Sequence, residues 1–142
     1  MILKRFEFLE HTADVIVRAY GDNLEEAFAA AGEAMFALIT DRSAIKLTDE
    51  ITIEIESPDR EGLLVAFLSK LILIHEVDQM IFREFTVTFH SSTQLSAIGR
   101  GEHFVETRHE SGLHVKAASY HMIEIADKVG EMPAYVQVLF DV

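Results

Sequence analysis

Apolar and polar residues alternate with a period of two along most of this chain, and twice the period lengthens to that of a helix. Phe6, Phe8 and Leu9 open the chain as a short strand. Val15, Val17 and Ala19 then form one face of a β-rich run, with Ile16, Arg18 and Tyr20 on the other. Gly21-Asp22-Asn23 breaks this run. Asn23 caps a helix, Glu26 completes a capping-box pattern, and Leu24, Phe28, Ala31, Met35 and Leu38 form one buried stripe. This helix is expected to end near Thr40. Ile51, Ile53 and Ile55 alternate with Thr52, Glu54 and Glu56 as a half-buried strand. Ser57-Pro58-Asp59 reads as a cap, a first-position proline and a first-turn acid, opening a second helix through Leu63, Leu64, Phe67, Leu68, Leu71 and Ile74.

From Phe82 onward the pattern predicts only strands. They are Phe85–Phe89, Leu95–Ile98, Phe104–Thr107, Val115–Ile125 and Tyr135–Phe140. Gly99 and Gly101, Glu110-Ser111-Gly112 and Gly130–Pro133 separate them. The two helical segments echo each other at an offset of 36, so that Val15, Val17, Ala19 and Phe28 fall on Ile51, Ile53, Ile55 and Leu64. A duplicated strand–turn–helix unit and two independent units explain this echo equally well. The expected fold is α+β, a mainly antiparallel β-sheet with two helices packed on one face.

Length and composition narrow the class. At 142 residues the chain amounts to a single domain over residues 1–142, given about 150 residues per domain. It is 49% hydrophobic and 25% charged, which provides a core without staples. With no cysteine there is no disulfide, thiolate zinc site or cysteine nucleophile. The longest apolar-rich stretch, Leu63–Ile74, is interrupted by Ser69 and Lys70 and is too short to span a bilayer. The N-terminus lacks the long apolar region of a signal peptide, so a cytoplasmic location is expected.

Charge changes the picture most. Twelve basic residues face twenty-four acidic ones, a formal net charge of -12 spread evenly along the chain. Such a surface repels phosphate backbones, so strong direct nucleic-acid binding is disfavoured. A basic protein partner or a divalent cation fits better. Oligomeric state is left open between monomer and small homo-oligomer.

Common catalytic motifs are missing. Gly99-Arg100-Gly101 lacks a following helix and reads as a hairpin feature, not a phosphate cradle. His75-Glu76 begins like a zinc-peptidase motif but no second histidine follows at the right spacing, leaving His75 as a helix-end residue. His109 and His114 flank Gly112 and read as exposed turn histidines. His11 and His121 neighbour polar residues at strand edges, where backbone bonding is the commoner role.

The aspartates are more informative. By strand parity Asp14 projects with Ile16 and Arg18, and Asp141 with Gln137 and Leu139. If the first and last long strands are antiparallel neighbours, Asp14, Asp141 and the terminal carboxylate of Val142 converge. Such a cluster calls for a hard cation, Ca²⁺ or Mg²⁺. Asp41, after the first helix, is a candidate fourth group. Spacing alone favours the plainer reading, in which Asp14 caps a turn and Asp141 is a solvated end.

These residues also carry a resemblance. Phe8-Leu9-Glu10-His11-Thr12-Ala13-Asp14-Val15 followed by Ala19-Tyr20-Gly21-Asp22-Asn23-Leu24-Glu25-Glu26-Ala27-Phe28 resembles the N-terminal signature of the archease family. Leu63–Leu71 resembles its leucine-rich helix, Gly99–Glu102 its strand turn, and Val115–His121 its VKAxTYH segment; Phe140-Asp141-Val142 closes the chain in the family manner. Ser119 stands where threonine is usual, and Phe67–Lys70 where a WLNE-type string is frequent. The second departure bears on any contact that this helix makes with a partner.

The resemblance implies an accessory protein, not an enzyme. Archeases assist the GTP-dependent RNA ligase that joins tRNA exon halves, speeding formation of its guanylate intermediate and restoring turnover. The family's divalent cation, usually assigned as Ca²⁺, maps onto Asp14, Asp141 and Val142 here, with Mg²⁺ and Mn²⁺ left open. Two alternatives are carried. One is a chaperone or specificity modulator of a tRNA cytosine methyltransferase. The other is a stand-alone metal-dependent hydrolase with His11 or His121 as base beside the Asp14/Asp141 ion.

Overall fold

The computed structural model describes residues 4–9 and 14–142. Strand β1 is Phe6–Leu9, and β2 is Asp14–Gly21. Helix α1 covers Leu24–Ile39, β3 Asp49–Glu56 and α2 Arg60–Asp78. The remaining strands are β4 (Met80–Ser91), β5 (Gln94–His103), β6 (Ala117–Ala126) and β7 (Ala134–Asp141). The fold is α+β with antiparallel strands and two helices, as the patterning predicts. Its strands divide into a four-stranded sheet ordered β1-β2-β7-β6 and a three-stranded sheet ordered β3-β5-β4. Helix α1 packs on β4 and β2, one from each sheet, and α2 packs mainly on β6 and also on β3. One core therefore joins both sheets, built on Phe28, Phe36, Phe67, Phe82 and Phe140.

The helix starts follow from local chemistry. Asn23 accepts a hydrogen bond from the Glu26 main-chain N–H at 2.9 Å, and Glu26 accepts one in return from the Asp22 N–H at 3.0 Å. The first bond satisfies a donor that the first turn leaves unpaired, and the second ties the preceding loop to the helix. The second helix is capped by Asp59, not by Ser57 as expected; its carboxylate accepts from the Gly62 N–H at 2.7 Å. Asp59 stands 36 residues after Asn23, so the echo between the two strand–turn–helix units extends to their caps.

Three other expectations are corrected. Phe104–Thr107 forms no strand. His109 and Arg108 donate main-chain bonds to the Val105 carbonyl, and the Val105 N–H donates to His109 Nδ1 at 2.8 Å, so local partners consume what a ladder needs. Gly99 and Gly101 lie inside β5, not at a turn, since the β4–β5 hairpin closes between Ser91 and Gln94. The last correction concerns Val115–Ile125, which enters the sheet only at Ala117 and is interrupted by a large bulge.

The β5 glycines serve close packing. Strand β4 bulges at Arg83, between Phe82 and Glu84, and presses its backbone onto Gly101. A Cβ there would lie only 1.9 Å from the Ile81 carbonyl oxygen. Backbone cannot rotate aside, so Gly101→Ala is expected to cost about 2 kcal/mol through overpacking. A lowered urea midpoint with unchanged slope is the expected reading.

Candidate functional site

Strands β2 and β7 pair antiparallel along their whole length, and Asp14 is the register partner of Asp141. Val17 and Ala19 on β2, with Val136, Val138 and Phe140 on β7, face the core. By alternation the two aspartates project together from the opposite face. Both are half-buried. Among the described residues, no lysine or arginine forms an ion pair with either carboxylate, and no side chain donates to one. Like charges directly across a strand pair are destabilising, so this pair lowers stability as it stands.

Its surroundings come from the neighbouring strand. Ala117 of β6 lies across from Asp141, and the Lys116 N–H donates to the Asp141 carbonyl at 2.8 Å. Val142 packs partly against the core, which fixes the main chain beside Asp141. Asp14, Asp141 and Val142 thus meet at one end of the four-stranded sheet. All their donors are oxygen, the set that a hard divalent cation prefers over zinc.

The other sequence candidates lie elsewhere. Asp41 caps the short turn Arg42–Ala44 and accepts from the Ser43 N–H at 3.0 Å and the Ser43 hydroxyl at 2.7 Å. Those bonds hold its carboxyl below the usual range. Among the described residues, no three histidines, aspartates or glutamates gather as a metal cluster, so neither Asp41 nor His121 joins the Asp14/Asp141 pair as a third side-chain ligand. His11 lies outside the described residues. His121 is exposed, and its main-chain N–H donates to the Ser119 hydroxyl at 3.0 Å. The hydroxyl kept by serine in place of the usual threonine is therefore in use.

His75 behaves as a helix-end residue, its Nδ1 donating to the Met80 carbonyl at 2.9 Å from the last turn of α2. His114 is exposed, 3.5 Å from Glu76. Both line an open cleft of about 540 Å³ between the helix C-termini and the 104–114 loop.

His109 is buried, contrary to the expectation of an exposed turn residue. Since Nδ1 accepts from Val105, the ring proton sits on Nε2, which donates to Glu102 at 2.9 Å. Glu102 also accepts from Arg108 at 2.8 Å and from the Lys46 main-chain N–H at 2.7 Å. The Arg108 bonds lead in holding this carboxyl far below the usual range, with Lys46 and His109 adding to them against the effect of burial. This network pins the 104–109 turn to the three-stranded sheet. Sequence reasoning missed it, because its members are dispersed and the Gly99–Glu102 segment gives no sign of what the Glu102 carboxylate binds.

Comparison with known proteins agrees with this architecture. The archease protein family model matches residues 6–142. A protein archease from Methanothermobacter thermautotrophicus is 39% identical over 137 residues, covering 94% of this chain and 97% of the relative. One from Pyrococcus abyssi is 38% identical over 126 residues, covering 87% and 89%, and one from the fish Ictalurus punctatus is 38% identical, covering 89% and 80%. The solution structure of Methanobacterium thermoautotrophicum protein 1598 superposes with a TM-score of 0.80 at 35% identity, covering 97% of this chain and 99% of that one. No helix among the described residues is long and apolar enough to cross a membrane. The chain belongs to the archease family, a family of accessory proteins and not of enzymes.

Proposed function

We propose that this protein activates the GTP-dependent RNA ligase of tRNA splicing, promoting its guanylylation and turnover from an acidic tip that holds a divalent cation. The observation that carries this reading is the pairing of Asp14 with Asp141 across β2 and β7 without a basic partner among the described residues. Asp14, Asp141 and a main-chain oxygen of Val142 would hold the ion, and Ca²⁺, which takes 6–8 oxygen ligands, would complete its shell with water. The cation neutralises the facing carboxylates and offers phosphate or carboxylate groups of a partner a positive centre. The chain's own contribution is positional: eight paired residues on each strand set the two carboxylates side by side. A net charge of -12 draws the tip toward a basic RNA-binding cleft and away from free RNA.

Multiple-turnover RNA joining by the cognate ligase tests the proposal, with wild type, Asp14→Ala and Asp141→Ala each added below stoichiometry. Wild type should stimulate joining severalfold. Both variants, folded by circular dichroism, should not. Equal stimulation by either variant would remove the tip from the mechanism. Absence of stimulation by wild type would redirect the search to a tRNA methyltransferase.

A further inference from the structure

Strand β6 leaves its partner where it stands most exposed. Ala117–Ser119 pair with Leu139–Asp141, and Glu124–Ala126 with Tyr135–Gln137, so Tyr120, His121, Met122 and Ile123 together oppose Val138 alone. Met122 adopts a left-handed backbone, φ 61°, which a residue with a side chain takes at a cost.

The bulge is nevertheless held firmly. Gln137, only 3% exposed, donates from Nε2 to the Met122 carbonyl at 2.9 Å, and the same nitrogen donates to Glu124 at 2.9 Å. Its Oε1 accepts twice from Arg18, at 3.2 and 2.7 Å. The His121–Ser119 bond closes the loop on its other side. This scaffold buries little at the bulge itself: Tyr120 is 58% exposed and Met122 50%. Bulges that carry strain and present side chains to solvent are characteristic of functional sites.

We infer that the Tyr120–Met122 bulge is the docking contact for a basic, arginine-bearing protein surface, and that Gln137 positions it. The inference rests on the ligase-activator reading, since the partner meant is the ligase. Continuity supports it: the bulge begins three residues after Ala117, about 10 Å along the strand from this register partner of Asp141. Charge supports it too, because the chain carries a net charge of -12 and Arg18, the arginine beneath the bulge, is already engaged by Gln137 and Glu124. An exposed tyrosine ring accepts a guanidinium on its face, and tyrosine, methionine and arginine are enriched at interfaces. A second copy of this chain is the poorer occupant, since the bulge interrupts the edge to which another strand would add.

The test measures binding to the cognate ligase together with stimulation, across a titration of wild type, Tyr120→Ala, Met122→Ser and Asp14→Ala. Both bulge residues are exposed, so their variants should keep the wild-type circular dichroism spectrum. The expected result is a dissociation constant and a half-stimulating concentration raised at least tenfold for Tyr120→Ala, with full stimulation at saturation. Met122→Ser should move in the same direction, and Asp14→Ala should fail even at saturation. Values within twofold of wild type for both bulge variants would overturn the inference and leave the activator reading standing. A lowered plateau with unchanged affinity would also overturn it. Wild type that neither binds nor stimulates would overturn both.

Discussion

Replacing Glu102 with alanine is expected to lower the unfolding free energy by roughly 3–5 kcal/mol, measured by urea denaturation at neutral pH. The replacement strands two donors: His109 Nε2, in a side chain with no exposure, and the Lys46 main-chain N–H. Each buried donor without an acceptor costs about 1–3 kcal/mol. Arg108, with a third of its side chain in solvent, can turn to water and adds little. The pH dependence has a definite sign. Glu102 has a folded-state pKa well below the ordinary 4.5, so the unfolded chain takes up the proton first as pH falls. Its stabilisation is therefore fully present above the unfolded pKa and is lost as pH drops toward the folded one. The stability gap between wild type and Glu102→Ala should narrow between about pH 5 and pH 3. A constant gap over that range would show that the carboxylate's charge contributes nothing.

How much of this was legible in the sequence depends on whether the information is local. Parity alone places Asp14 opposite the Val15/Val17/Ala19 face and Asp141 opposite the Val136/Val138/Phe140 face, and the assumption that β2 neighbours β7 brings them together; the β2–β7 register bears out that assumption. The Asn23–Glu26 cap was legible because its members are three residues apart and have one geometry open to them. Phe104–Thr107 looked like a strand because Phe, Val and Thr suit a pleated surface. The decision belonged to His109, which takes the Val105 N–H, and no pattern of apolar residues records that bond. Gly99 and Gly101 illustrate a second ambiguity. Glycine marks turns, but it also marks places where another chain segment presses close, here Phe82 and the Ile81 carbonyl. The division into two sheets was not legible for a similar reason: alternation tells which face of a strand is buried, not which strand lies beside it.

The second large effect reverses sign with the cation. In EDTA, Asp14→Asn should be more stable than wild type by about 1 kcal/mol, because it removes one of two like charges held in register. With Ca²⁺ at about 100 times its dissociation constant, wild type should gain about 2.7 kcal/mol by mass action, and the variant much less. At this chain length 1 kcal/mol corresponds to about 4 °C, so thermal melts with and without Ca²⁺ should show the two proteins exchanging order. A structural role for Asp14 as a turn cap predicts otherwise: asparagine caps as well as aspartate, and both melts would shift little with Ca²⁺. A variant less stable than wild type in EDTA would show that the carboxylate already has a favourable partner, and the case for a cation at this pair would fall. Exchange of order would tie the repulsion built into the β2–β7 register to the ion that relieves it.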